Sequence, residues 1–275
     1  MAKQTMLEQF GPWAVVTGAS SGIGMEFARQ LAGHGLNLVL VARREQALKE
    51  LAVELEGRHQ IATRTVLLDL SNPGFLDELR KETDDLEVGL VISNAGAGRL
   101  GAFLRVPVED LLWGTRLNVV AHVKLAHHFG SLMLDQKRQG GLLLVSSTIA
   151  FVGMPFAGNY SGAKAYLLNL GQAMNYELEG TGINVSVLVP GPTSTAAFDE
   201  RKDIDLTQLP GGKPMKVKPV VVGALKALAR NEPYYVPGVM NRIIDTIGRR
   251  VLTRRANRNI FGALLKRAAP DELKI

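Results

Sequence analysis

The sequence predicts a doubly wound α/β fold, a parallel sheet of about seven strands with helices on both faces. Three observations carry this expectation. Short apolar runs alternate with helix-length segments from Trp13 to Gly238. Those runs are apolar at consecutive positions, as strands covered on both faces must be. The first run ends in a glycine-rich turn that opens directly into a helical stretch. Right-handed crossovers then wind such a sheet outward in two directions, and ligands sit at the carboxyl ends of its strands.

The elements follow in order. "WAVVTG" (Trp13–Gly18) reads as the first strand and Ile23–Gly35 as a helix. "NLVLVA" (Asn37–Ala42) is the second strand, followed by the amphipathic "EQALKELAVELEG". "TRTVLLDL" (Thr63–Leu70) is the third, with a helix opening at "SNPGF", and "VGLVISNAG" (Val88–Gly96) is the fourth. A long helix covers Val108–Gln136, and "GLLLVSS" (Gly141–Ser147) is the fifth strand. A helix over Asn159–Glu179 leads to the sixth, "NVSVLVPG" (Asn184–Gly191). The short helix "VVVGALKALAR" precedes the seventh, "YYVPG" (Tyr234–Gly238). Thr193–Pro219 is weakly periodic and long for a plain connection, which marks it as a candidate lid over a binding site.

A chain of 275 residues, 46% hydrophobic and 21% charged, suits one large globular domain. It has no cysteine, which excludes disulfides, thiolate metal sites and a cysteine nucleophile. That absence fits a reducing compartment. The N-terminal stretch lacks the pattern of a signal peptide, and no apolar run approaches the ~18 residues of a spanning helix. The reading places the chain in the cytoplasm. Its five histidines show no metal spacing, with His127 and His128 adjacent on the long helix, so no metal is expected.

The formal charge of +6 is unevenly placed: residues 239–275 hold nine Lys/Arg and three Asp/Glu, and the remainder balances at 23 of each. A neutral domain with a basic tail argues against nucleic-acid binding as its main function. In the tail Met240, Ile243, Ile244, Ile247, Val251, Leu252, Ile260, Phe261, Leu264 and Leu265 recur at helical spacing, with arginines between them. A basic amphipathic helix of this kind serves a membrane surface or a partner. Equally, its apolar stripe can pack on the domain or on a second subunit.

The turn after the first strand is "TGASSGIG" (Thr17–Gly24). Gly18, Gly22 and Gly24 allow a tight turn and close approach of a phosphate, with Ser20, Ser21 and Ile23 between them. The helix N-terminus behind supplies free N–H groups and a positive dipole end, so the loop predicts dinucleotide binding. The second strand ends in Arg43 and Arg44, where an acidic residue would favour NAD and an arginine a ribose 2′-phosphate; NADP(H) is expected over NAD(H). Asp69, with Leu70 beside it, ends the third strand and could meet an adenine amine or cap the next helix. In "NYSGAKAY", Tyr160 and Lys164 share a helix face, either as a surface pair or as a phenol beside the cation that lowers its pKa.

Taken together these motifs resemble the short-chain dehydrogenase/reductase family, near its hydroxysteroid dehydrogenase and 3-ketoacyl reductase-like members. "TGASSGIG" is similar to the family's TGxxxGxG loop, and "SNAG" (Ser93–Gly96, with Asn94 and Ala95) to its NNAG motif, Ser93 replacing the first Asn. Asn118 stands at the helix-borne asparagine, Ser147 thirteen residues before Tyr160, and "YSGAK" at YxxxK. "PGPTST" (Pro190–Thr195) resembles PGxxxT. The motifs run in family order over about two-thirds of the chain.

The resemblance implies a Rossmann-type catalytic domain over 1–238 (lid 193–219), with 239–275 as a helical extension. It implies carbonyl–alcohol interconversion by hydride transfer, with Tyr160 as general acid/base. Lys164 would also hold the nicotinamide ribose, Ser147 the substrate oxygen and Asn118 a water that relays protons past Lys164. Thr193 and Thr195 would bond the nicotinamide carboxamide. An apolar or acyl-type substrate and a homo-oligomer are expected, with peripheral membrane contact as one use of the tail. A reading from a different class is a nucleotide-binding scaffold or redox sensor with little turnover, recruited through that tail.

Overall fold

The computed structural model describes residues 5–195, 214–250 and 253–268, the side chains of 244, 245, 247–250, 264, 265, 267 and 268 excepted. A seven-stranded parallel sheet runs in the order β3-β2-β1-β4-β5-β6-β7. Its strands are β1 (Trp13–Thr17), β2 (Asn37–Ala42), β3 (Thr63–Leu67), β4 (Val88–Ser93), β5 (Gly140–Val145), β6 (Ile183–Leu188) and β7 (Tyr234–Tyr235). The chain steps from β1 outward to β3, then returns to start β4 on the other side of β1. Strand order reverses there, and a crevice opens above the ends of β1 and β4.

Alternation along the strands divides the core into two layers. Ala14 and Val16 of β1 and Leu38 and Leu40 of β2 point to one face. They meet Phe27, Ala28 and Leu31 of α2 (Gly22–Gly33), Leu48 and Leu55 of α3 (Glu45–His59) and Leu225 and Leu228 of α8 (Val217–Ala229). Val15, Val39 and Val41 point to the other face. They join Phe75 and Leu79 of α4 (Phe75–Lys81) and Leu125 and Phe129 of α6 (Ala121–Asp135). Each face is covered, which is why neither half of a strand could be polar.

Most strands stop before the predicted ends: β3 at Leu67, β4 at Ser93, β5 at Val145, β6 at Leu188 and β7 at Tyr235. Beyond β4 the amides leave the ladder, since Asn94 N and Ala95 N donate to Thr17 Oγ1. Beyond β5 single bonds still run to the β6 end, Ser146 N to Leu188 O and Thr148 N to Pro190 O. Helix α8 begins three residues before its expected start. Pro219 costs nothing there, since first-turn N–H groups have no intrahelical acceptor.

The N-terminal helix α1 (Met6–Phe10) was not anticipated, although Thr5 and Glu8 form a complete capping box that the sequence spells as T-x-x-E. Phe10 is fully buried against β4 and β5. A Cβ on Gly89 would lie 2.6 Å from Phe10 O, and one on Gly141 would lie 2.9 Å from the Phe10 ring. The two glycines make the seat for this plug at the sheet's amino edge.

The long helix is confirmed over Val108–Asp135 but is not uniform: α5 (Val108–Thr115) passes through a π turn, Arg116–Val120, into α6. Helix α7 spans Gly158–Glu177. The extension forms α9 (Val239–Arg250) and α10 (Arg254–Ala268). Asn241 and Asn257 are buried, Phe261 packs with Met154 and Ala157, and Gly262 lies against Pro155. The extension therefore packs on its own domain at these residues, while Val239, Met240, Ile243 and Ile260 remain exposed. Ile244, Ile247, Val251, Leu252, Leu264 and Leu265 fall outside the described side chains, as does most of the expected lid, residues 196–213. Among the described residues no helix is long and apolar enough to cross a membrane.

Candidate active site

Above the crevice lies a cavity of 890 Å³ that gathers nearly all of the predicted site residues. The glycine loop forms one end. Gly18 and Gly22 have φ of +67° and +56°, which side-chain-bearing residues rarely adopt, and a Cβ on Gly24 would collide with Gly18 O. Ser20, Ser21 and Ile23 line the same wall. Gly24 and Asn118 are absent from the lining because both lie behind it, Gly24 under the loop and Asn118 within the long helix.

Thr17 laces this loop to the neighbouring strand. Its Oγ1 donates to Ile92 O at 3.3 Å and accepts from Asn94 N at 2.9 Å and Ala95 N at 3.1 Å. Asn94 Nδ2 returns a bond to Thr17 O at 2.9 Å. These four bonds hold Asn94 and Ala95 beside the glycine turn, so the glycine-loop end of the cavity and the end beyond β4 share one frame.

Arg43 and Arg44 stand at the rim. Arg44 Nε donates to Ser20 Oγ at 3.2 Å, and Arg43 pairs with Asp69 at 3.5 Å. Asp69 does not cap α4, whose N-cap is Gly74; it holds its own turn by accepting from Ser71 N and Oγ. Burial pushes the Asp69 carboxyl up, but the Ser71 bonds and the nearby Arg43 outweigh it and leave the group below its ordinary range. Leu70 lines the cavity next to it. With two guanidinium groups and one carboxylate lining it, the rim carries an excess of positive charge.

The other end of the cavity is built by β5 and α7. Ser146 Oγ donates to Lys164 O at 2.7 Å, and Lys164 Nζ donates to Val145 O at 2.9 Å, binding the helix to the strand end. Ser147 N-caps a 3₁₀ turn (Thr148–Phe151), accepting from Ile149 N at 3.4 Å and keeping its own O–H to donate into the cavity. Lys164 Nζ lies 5.5 Å from the centre of the Tyr160 ring. Burial lowers the Lys164 pKa to about 8, so the ammonium remains the main form at neutral pH.

Asn118 sits in the π turn, a geometry that widens the helix and is frequent at functional sites. Its Nδ2 donates to Ala97 O at 2.6 Å and Gly114 O at 2.8 Å. Its Oδ1 is buried with no donor among the described residues. A Cβ on Gly96 would lie 2.8 Å from that Oδ1 and 3.0 Å from Lys164 Nζ, so both atoms crowd the same glycine. An unsatisfied acceptor beside an ammonium suits a bridging water.

Pro190, Gly191, Thr193 and Thr195 line the far wall, with Thr193 Oγ1 donating to Gly191 O at 2.9 Å. Thr193 also pairs with Met215 in an isolated parallel bridge. An apolar stretch of wall is formed by Ile149, Phe151, Val152, Met154, Ile260 and Phe261. A glycine cradle, a cationic rim and a Ser–Tyr–Lys cluster in one cavity fit a nicotinamide dinucleotide.

Three contributors escaped the sequence reading. A Cβ on Gly98 would lie 2.8 Å from Tyr160 Cγ and Cδ2, so Gly98 is the surface on which the phenol ring rests. Buried His122 bonds Ser93 Oγ at 2.7 Å through Nδ1 and Ala95 O at 2.9 Å through Nε2. A carbonyl only accepts, so Nε2 carries the proton and Nδ1 accepts from Ser93. Burial, with Lys164 adding to it, lowers the His122 pKa to about 3. Ser93 together with a histidine at helical position i+4 from Asn118 was the available signal. The third is the pair Asn241 and Asn257 from the extension, both lining the cavity. By contrast, His127 and His128 lie on α6 away from the cavity.

This fold and site define a nucleotide-binding α/β oxidoreductase. Residues 12–205 match the short chain dehydrogenase family, and the chain belongs to it, an NAD(P)-dependent family of oxidoreductases. A 7beta-hydroxysteroid dehydrogenase of Mediterraneibacter gnavus is 33% identical over 208 residues, 76% of each chain. A structure described under structural and biochemical insights into 7beta-hydroxysteroid dehydrogenase stereoselectivity is similar with a TM-score of 0.86 at 28% identity, covering 94% of this chain and 100% of that one. A short-chain dehydrogenase from Sphingobium yanoikuyae in complex with NADPH has a TM-score of 0.77 at 31% identity, covering 83% and 88%.

Proposed function

We propose that this chain interconverts a bulky apolar or acyl-type ketone and its secondary alcohol, using NADP(H), with Tyr160 as general acid/base. The observation that carries the reading is the convergence of Ser147, Tyr160 and Lys164 on a cavity that also holds the glycine cradle. When bound, the nicotinamide supplies or accepts the hydride. Tyr160 gives its phenolic proton to the carbonyl oxygen in reduction and takes it back in oxidation. Lys164, held by Val145 O, favours the phenolate and also binds the cofactor ribose. Ser147 donates to the substrate oxygen and stabilises charge developing there. Asn118 Oδ1 orders a water that passes protons on beside Lys164.

Arg43 and Arg44 support the choice of NADP(H), since a fork of guanidinium donors matches a 2′-phosphate. The Sphingobium relative's NADPH complex agrees with it. Met154, Phe151, Ile260 and Phe261 support an apolar substrate, as does the similarity to a hydroxysteroid dehydrogenase. We read 1–238 as the catalytic domain and 239–275 as a helical extension, the assembly as a homo-oligomer and the compartment as the cytoplasm. The exposed Val239, Met240 and Ile243 beside Arg242 leave α9 suited to peripheral membrane contact.

The test is NADPH and NADH oxidation across ketosteroids, 3-ketoacyl thioesters, sugars and small aromatic aldehydes. Turnover with NADPH on bulky apolar ketones, abolished in Tyr160→Phe with cofactor binding retained, is the expected result. Full activity in Tyr160→Phe would sink the proton-transfer role. Replacing Arg43 and Arg44 by Ala should weaken NADPH about 10- to 100-fold and leave NADH unchanged, the scale of charge-assisted hydrogen bonds. Equal losses for both cofactors would remove the 2′-phosphate assignment.

A further inference from the structure

Asn241 lies beyond residue 205, where the family match ends, yet it lines the cavity and is only 7% exposed. Its side-chain orientation is fixed. Nδ2 donates to Pro237 O at 2.8 Å and approaches Met215 S at 3.5 Å. Pro237 O can only accept, so the amine faces it and Oδ1 takes the opposite side. The amide lies flat across Gly191: a Cβ there would fall 2.7, 2.8 and 2.9 Å from its Nδ2, Oδ1 and Cγ. Gly191 is thus the position that lets a helix of the extension reach the turn Pro190–Thr193. Among the described residues nothing donates to Oδ1. A nearly buried carbonyl facing a cavity with no donor of its own is a group waiting for one from a ligand.

We propose that Asn241 is a cofactor-binding residue whose Oδ1 accepts a hydrogen bond from the carboxamide amine of the nicotinamide. This rests on the reading that the nicotinamide lies against Pro190–Thr195. The amine is the hydrogen-bond donor that a nicotinamide ring carries, and Asn241 faces the turn where that ring is placed. The extension then completes the cofactor site as well as walling the substrate.

The test compares binding, by fluorescence or calorimetry, of three ligands to wild type and Asn241→Ala. They are NADPH, its 3-acetylpyridine analogue, in which a methyl replaces the carboxamide amine, and adenosine 2′,5′-bisphosphate, which lacks the nicotinamide half. Wild type should prefer NADPH over the analogue by about three- to tenfold, the size of one neutral hydrogen bond. Asn241→Ala should bind the two alike, with adenosine 2′,5′-bisphosphate unchanged. Asn241→Ser serves as a second variant should alanine destabilise the helix. A preference that persists undiminished in the variants, or an equal loss for adenosine 2′,5′-bisphosphate, overturns the assignment. A wild-type protein that binds both dinucleotides equally removes the assignment alone. One that binds neither removes the cofactor reading and Asn241's role with it.

Discussion

Gly98→Ala adds one methyl group directly beneath the ring of Tyr160. That methyl carbon would stand 2.8 Å from ring atoms Cγ and Cδ2 and 3.2 Å from Tyr160 Cβ. Ordinary contact begins at 3.4 Å, so the ring must retreat by about 0.6 Å or the loop after β4 must give way. The loop is poorly placed to yield, because Asn94 and Ala95 are laced to Thr17 and Asn118 Nδ2 bonds Ala97 O. The displacement therefore falls on the phenol. Misplacement of a reacting group by about 1 Å costs around a hundredfold, so a drop in kcat of roughly 10- to 100-fold is expected. The assay is steady-state turnover with NADPH and a bulky ketone, with cofactor affinity and thermal unfolding measured alongside. A kcat within twofold of wild type would refute the reasoning. So would a loss of turnover that tracks a loss of cofactor binding, since the methyl would then be acting on the frame instead of the tyrosine.

Thr17→Val keeps the shape of the side chain but removes the oxygen that serves Asn94 N and Ala95 N. Urea unfolding should report a loss of about 2 kcal/mol, the cost of partly buried donors left unpaired; no change would mean that water replaces the hydroxyl. His122 gives a pH effect of defined sign. Its folded pKa of about 3 lies below the ordinary 6.5, so the unfolded chain binds a proton that the native state refuses. The contribution to stability is complete above pH 6.5 and is lost as pH falls from 6.5 toward 3, reaching about 2 kcal/mol at pH 5. His122→Asn should flatten the decline in unfolding free energy between pH 7 and pH 5 by about that amount, and an identical decline would refute the buried neutral state.

The sheet was legible because seven apolar runs and the segments between them obey one rule, burial on both faces. Its strand ends were not. Whether Asn94 continues β4 or turns to Thr17 depends on a hydroxyl from another strand, which period counting along one strand cannot see. The cluster at Ser147, Tyr160 and Lys164 was visible as residue types at fixed spacing. Gly98, His122 and Asn241 were hidden for different reasons. Gly98 matters for the space it leaves, His122 for a partner 29 residues away and Asn241 for an approach to Gly191 from 50 residues on. The sequence leaves Asp69 open as an adenine partner or a helix cap; it caps no helix, because the turn that follows uses it through Ser71. The tail is helical as its spacing suggests, yet its cavity-facing members include two asparagines that an apolar count passes over.

The π turn at Arg116–Val120 has a consequence for how this chain tolerates changes in length. Such a turn is a helix with one residue more than its hydrogen-bonding period requires. Deleting a single residue there would let α5 and α6 join as one regular helix, with Leu125 and Phe129 still facing the sheet. The same deletion would rotate Asn118 away from Lys164 and close the widened backbone around it. A one-residue deletion, ordinarily ruinous inside a core helix, is thus expected here to spare the fold and remove only the relay proposed for Asn118.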